Sequence, residues 1–203
     1  LGTYLRIGTH NEKPAVIFEA ANVLVWDGSG GTEGTDGLGN LIVGYDEPSG
    51  GGDDKTGSHN LVVGPYHTYS SFGGLVAGYD NNVTGDFASV SGGRENTASA
   101  SYSSVSGGRN GSASGDTSSV SGGYGNAASS NYSSVVAGYE NTASGPYSSV
   151  SGGDSNTALG ASSSVSGGVG NTASGGWSSV SGGNSRSATG NYNWRAGGES
   201  EDN

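Results

Sequence analysis

Between residues 71 and 190 one apolar position returns every fifteen residues, as Val90, Val105, Val120, Val135, Val150, Val165 and Val180. Serine flanks most of these valines, as Ser89 and Ser91 flank Val90. Successive side chains of an extended chain point to opposite faces, so the valine looks one way and its serines the other. A Gly pair such as Gly92-Gly93 follows and predicts a turn, because glycine takes positive φ without penalty. A second short strand is predicted around Ala98, Ala113, Ala128, Ala143, Ala158, Ala173 and Ala188, with hydroxyl residues such as Thr97 and Ser99 on its other face. Gly85, Gly115, Gly145, Gly160, Gly175 and Gly190 mark a second turn. Each period therefore reads strand, turn, strand, turn. A fixed period of this length is the signature of a repeat architecture, here an all-β parallel solenoid of 14–15-residue coils.

The pattern divides the chain into four stretches. Residues 1–36 do not repeat. Their β-branched and aromatic runs at Thr3–Ile7, Ala15–Phe18 and Asn22–Trp26 predict a small N-terminal β cap of three strands. Residues 37–70 hold irregular first coils, where Leu41-Ile42-Val43 is answered by Leu61-Val62-Val63 and then by Leu75-Val76-Ala77. An insertion, Glu47–Lys55, separates the first two and predicts a surface loop. Residues 71–190 are the regular repeats. Residues 191–203 should close the stack: Arg195 stands in the valine column, Trp194 beside it, and the acidic tail Glu199-Ser200-Glu201-Asp202 follows. Coils about 4.8 Å apart, ten of them from Leu41 to Val180, predict a rod on the order of 45–50 Å long.

Two further columns matter. Asn81, Asn96, Asn126, Asn141, Asn156 and Asn171 recur at one place and predict an inward stack that satisfies turn backbone groups. Phe72, Phe87, Tyr102, Tyr132, Tyr147 and Trp177, continued by Tyr192, recur three residues before the valines, broken by Thr117 and Ser162, and in a continuous strand would face the opposite way from the valines. One valine and one alanine per coil bury little against the entropy of ordering fifteen residues, which calls for a second buried surface. One of the valine and aromatic columns would then fill the protomer and the other a contact between protomers. Sequence leaves open which. The rival reading of the aromatic column is an exposed ribbon that stacks on ligands.

Composition narrows the function. Only 31% of residues are hydrophobic and 42 are glycine, too little for an ordinary globular core, while the strict columns argue against disorder. Eighteen acidic against seven basic residues give a net charge of −11, which disfavours nucleic acid and anionic membranes as partners. No cysteine framework assigns a compartment. No stretch is apolar enough to span a bilayer. Leu1 and the lack of Met suggest a fragment or processed product, with any export signal or anchor elsewhere. His10, His59 and His67 do not sit at metal spacing. Asp53 and Asp54 in the insertion could hold Ca²⁺, although a solvated acidic loop explains them as well. No catalytic residue and no other cofactor is expected.

Ser104-Val105-Ser106-Gly107-Gly108 and Asn141-Thr142-Ala143-Ser144-Gly145 resemble the head repeats of YadA-like trimeric autotransporter adhesins, where Ser-Val-x-x-Gly is followed by Asn-x-Ala-x-Gly. The resemblance covers residues 71–190 well and 37–70 loosely. Gly107 and Ala137 stand where that family has a second aliphatic residue. The resemblance implies a left-handed β-roll, a homotrimer, and a location at a cell surface. Phage tail fibres and uncharacterised surface proteins carry similar rolls, which would place the chain on a virion or another surface. The expected function is a non-enzymatic trimeric surface fibre or adhesin head that presents a rigid β-roll to a protein or glycan. The alternatives are a phage fibre or spike that recognises a host surface, and an ice-binding solenoid with Thr97/Ser99, Thr142/Ser144 and Thr172/Ser174 as hydroxyl ranks.

Overall fold

A computed structural model describes residues 4–197. Every regular element among them is a β-strand, and all but two of the strands belong to one parallel solenoid. One sheet of eleven strands runs from Leu41–Val43 to Trp194–Arg195; we call it the valine sheet. A second, the alanine sheet, has nine strands from Thr68–Tyr69 to Ser187–Ala188. Nine coils thus carry both strands. Pairing is in register from coil to coil: Val90 lies beside Val105, Val105 beside Val120, and Ala98 beside Ala113. The repeat is fifteen residues because that is what one circuit of two short strands and two turns consumes. The coils from Leu61 to Leu75 and from Leu75 to Ser89 are each one residue shorter, with Val63-Gly64 and Ala77-Gly78 where the next coil has Ser91-Gly92-Gly93.

The core is a narrow stack between the two sheets. Val62, Val76 and the column valines Val90, Val105, Val120, Val135, Val150, Val165 and Val180 are 0–1% exposed, and the column alanines Ala98, Ala113, Ala128, Ala143, Ala158, Ala173 and Ala188 are fully buried. Within a single chain the valine column therefore fills the protomer. Ser91, Ser106 and Ser121 face outward, as the period-two alternation requires. Early coils are bulkier: Tyr69 and Val83 take the place of alanine. Tyr69 is buried, and its hydroxyl donates to Asp46 Oδ2 at 2.7 Å, while Lys55 Nζ donates to Asp46 Oδ1 at 2.8 Å. Burial, then the Asp46 carboxylate, push the Tyr69 phenol well above its ordinary range. The insertion thus folds back to close the side of the first coils.

The ends differ from expectation in part. Two strands form an antiparallel hairpin, β1 (Leu5–His10) and β2 (Lys13–Phe18), with Leu5 opposite Phe18. The third strand expected at Asn22–Trp26 does not form, and residues 19–40 contain no strand. A β-branched run becomes a strand only if an edge is available to pair with, and here Val23, Leu24 and Trp26 face solvent. The segment instead loops over the first coils, where Thr32 O lies 3.1 Å from His59 Nδ1. At the far end Arg195 occupies the valine register opposite Val180 and is exposed, as a cation at the mouth of the stack should be. Trp194 Nε1 donates to Ser181 Oγ at 2.9 Å. The acidic tail expected to complete that end lies outside the described residues.

Candidate binding edges

The two turns of each coil stack into two long edges. At the first, Gly93, Gly108, Gly123, Gly138, Gly153, Gly168 and Gly183 take φ from +84° to +109°. A Cβ on Gly123 would lie 2.2 Å from Gly138 O, so only glycine lets successive coils approach this closely. The first glycine of each pair is different: Gly107 and Gly122 face open space. Inside this turn lies the asparagine column. Asn141 Nδ2 donates to Ala137 O in its own turn (3.0 Å) and to Gly153 O in the next coil (2.9 Å). Its Oδ1 accepts from the backbone N–H of Asn156 at 2.9 Å. Asn96, Asn126, Asn156 and Asn171 repeat the scheme. The column is inward and satisfies turn backbone groups, as expected, but each amide bonds the next copy's backbone and not its side chain.

His67 is the asparagine column's first member. Its Nδ1 accepts from the Asn81 N–H at 3.1 Å and its Nε2 donates to Val63 O at 3.1 Å, in full burial. That donor set makes it a structural histidine, found from sequence only by counting fourteen residues back from Asn81. The other histidines lie elsewhere, and no group of three or more potential metal ligands gathers among the described residues. Asp53 accepts from Ser49 N and Oγ, while Asp54 accepts from Thr56 N (3.0 Å) and Oγ1 (2.6 Å). These bonds hold both carboxyls below the ordinary range. The two carboxylates are thus engaged in separate turns, and the geometry gives the calcium reading no support.

The second edge carries the aromatic column, and here the strand-based expectation fails. Phe87, Tyr102, Tyr132, Tyr147 and Trp177 do not lie in a strand on the face opposite the valines. They are the third residue of a four-residue turn, closed for example by Ser103 N–H to Ala100 O at 3.2 Å, with φ of +53° to +59°. That conformation costs a non-glycine residue about 1–2 kcal/mol. It throws the ring out of the coil. Phe72 leaves the column altogether: the fourteen-residue coil from Leu75 to Ser89 puts Gly73 in the register of Phe87, and the Phe72 ring packs edge-on to Phe87 at 5.2 Å. The remaining rings stack in pairs along the rod. Phe87 and Tyr102 are 5.5 Å apart at 10°, Tyr132 and Tyr147 4.9 Å at 2°, and Trp177 and Tyr192 5.1 Å at 7°. All are exposed, Tyr147 by 62%.

The asparagine edge has an outer row of its own that sequence reasoning missed. Tyr79, Arg94, Arg109, Tyr124, Tyr139, Asp154, Val169 and Asn184 bridge one another in register. Arg94 lies 5.0 Å over the Tyr79 ring, Tyr124 and Tyr139 stack at 5.2 Å, and Glu95 pairs with both Arg94 (2.7 Å) and Arg109 (3.0 Å). Those hydrogen bonds, Arg109's first, hold the Glu95 carboxyl below its ordinary range. Fifteen-residue counting would have found the row, but its changing chemistry hides it.

The two sheets' outer faces complete the surface. Thr97, Thr142, Thr157 and Thr172 line the alanine sheet, interrupted by Ser112, Ala127 and Ser187, while Leu159 breaks the neighbouring rank of serines. Fold and site define a β-solenoid repeat protein with two decorated edges. No protein-family model matches the chain, and none of the curated proteins does.

Proposed function

We propose that this chain is a non-enzymatic surface post, a stiff β-solenoid that holds its aromatic edge out to a glycan or protein at a cell or virion surface. The observation that carries the reading is the row of stacked rings, held outward by positive-φ turns and left in water. Contiguous apolar groups at a surface mark interaction sites, and aromatic rings are strong binding elements. Catalysis would need titratable groups converging on one reacting point, whereas those that meet here pair off with one another, Arg94 and Arg109 with Glu95, Lys55 with Asp46 and His59 with Asp27. The homotrimer implied by the resemblance belongs to the same proposal. Its contact would fall on an outer surface, since the valines lie inside each chain.

The test is an array of immobilised glycans and extracellular-matrix proteins probed with the parent and with Tyr132→Ala/Tyr147→Ala, alongside light scattering. A ligand that the parent holds and the double variant loses, on particles of three chains, is the expected result. Equal binding by both would sink the aromatic edge as the site, and a single-chain mass would sink the trimer. Ice binding is the weaker reading, because its hydroxyl ranks are broken at Ala127 and Leu159. Thermal hysteresis in the parent would revive it.

A further inference from the structure

The aromatic row is interrupted twice, and we infer that each interruption is a seat for one neutral sugar ring of a glycan. This rests on the aromatic edge being the binding edge. Thr117 stands between Tyr102 and Tyr132, and Ser162 between Tyr147 and Trp177. Both keep the backbone of the ring-bearing residues, with φ of +56° and +55° beside +58° for Tyr102. Thr117 N–H bonds Ser101 O at 3.0 Å, as Tyr102 N–H bonds Asp86 O at 2.9 Å. The place in the row is intact and only the ring is missing. Two ladder steps, roughly 10 Å, separate Tyr102 from Tyr132, which leaves the thickness of one ring between them. Tyr102 stacks on Phe87 alone and is 60% exposed, against 41% for Phe87, which has ring neighbours on both sides.

The walls and floor select the occupant. Two phenol faces form the walls of the first seat. Its floor holds Thr117 Oγ1 and Asp116 Oδ2, 3.5 Å apart, and the Asn131 Oδ1 that accepts from Asp116 N–H at 3.3 Å. A pyranose has C–H groups on both faces and hydroxyls round its rim, and so matches apolar walls over a polar floor. An aromatic side chain from a second copy would set an apolar rim against Asp116. Asp116 and the net charge of −11 repel uronic or sialic acids. Thr117 is itself a β-branched residue at positive φ, a rare choice that leaves a hydroxyl where a ring would fit. The seats lie three coils apart on one edge, about 14 Å.

Calorimetric titration of the full chain with cello-, chito-, manno- and maltohexaose, and with hexagalacturonate as the anionic comparison, tests the inference. The filled variant Thr117→Tyr/Ser162→Tyr adds rings that the row already carries at this φ, so it should melt with the parent. At least one neutral hexasaccharide should bind the parent, hexagalacturonate should not, and the filled variant should bind at least tenfold more weakly. Equal affinity in the filled variant would overturn the seats while leaving the aromatic edge as the binding edge. Failure of all four neutral sugars to bind the parent, or preference for hexagalacturonate, would overturn the neutral-sugar assignment, whatever the array in the preceding section shows for protein ligands. A multimer of the parent that falls apart when both places are filled would make the edge a contact between chains and overturn it too.

Discussion

The two turns of each coil close the same circuit by opposite means. The glycine turn is wired from within: each buried asparagine makes two donor bonds and one acceptor bond, and its polar atoms are matched. The aromatic turn is braced from without by ring stacking. Its interior serines are less well served, since the hydroxyls of Ser148, Ser163 and Ser178 are buried without a partner. The glycine turn therefore tolerates little change, while the aromatic turn accepts Tyr, Phe, Trp, Thr and Ser at one position. A position that varies in size yet keeps its backbone is where a repeat protein can place recognition without disturbing its frame.

The core that both turns share should be the most sensitive. Val120→Asp places an unpaired carboxylate in a fully closed stack, at a cost of about 3–5 kcal/mol beyond the lost packing. Burial raises the pKa of that new aspartate in the folded chain above its unfolded value of about 3.9. The folded form thus binds the extra proton first, so chemical unfolding should show the deficit at neutral pH and a partial recovery that builds as pH falls from the raised value and is complete by about pH 4. An unchanged midpoint at pH 7 would mean that the column is wet. Next come two glycines of one pair. Gly123→Ala meets Gly138 O and carries φ of +89°, and should lose about 2–4 kcal/mol. Gly122→Ala meets nothing and should shift the midpoint by less than about 0.5 kcal/mol.

Asn141→Ala should follow, because it orphans the Asn156 N–H and removes a donor from two carbonyls. About 2–3 kcal/mol in denaturant unfolding is the expected loss. The chain already contains the converse case. Gly111 sits in the asparagine column, and no side-chain oxygen reaches the N–H of Asn126 above it. Gly111→Asn should restore that bond and gain about 1 kcal/mol. A Cβ there comes within 3.1 Å of Asn96 Oδ1 and 3.4 Å of Val105 and Val120, so a loss instead would show that the glycine is needed for room.

Much of the frame was legible in the sequence because a solenoid repeats its physics. Val90 to Val180, Ala98 to Ala188 and the asparagines each announced a column, and period-two alternation put serine outside. The aromatic column was misread because strand alternation was carried through a turn. Only the backbone shows that Tyr102 has positive φ, and glycine spacing pointed to Gly115 and Gly145 as the conformational turn. Those glycines matter for a different reason. A Cβ on Gly115 would lie 2.0 Å from Ser130 O, so the requirement is close approach and not φ. Phe72 was misplaced because one short coil shifts the count by a residue.

The smallest effect on stability should come from the aromatic turn itself, through Tyr132→Gly. Glycine at φ of +59° relieves the backbone cost of about 1–2 kcal/mol and forfeits a stack with Tyr147 worth about 0.5–1.5 kcal/mol. It also adds freedom to the unfolded chain, about 0.5–1 kcal/mol against folding. These nearly cancel, so the melting temperature should stay close to the parent's. Tyr132→Ala keeps the strained backbone and loses the same stack, and should melt lower than Tyr132→Gly. Both should weaken glycan capture alike, since each removes the same ring. If Tyr132→Gly instead unfolds as readily as Asn141→Ala, the outer rings are part of the frame, and the contrast between a wired turn and a free one is lost.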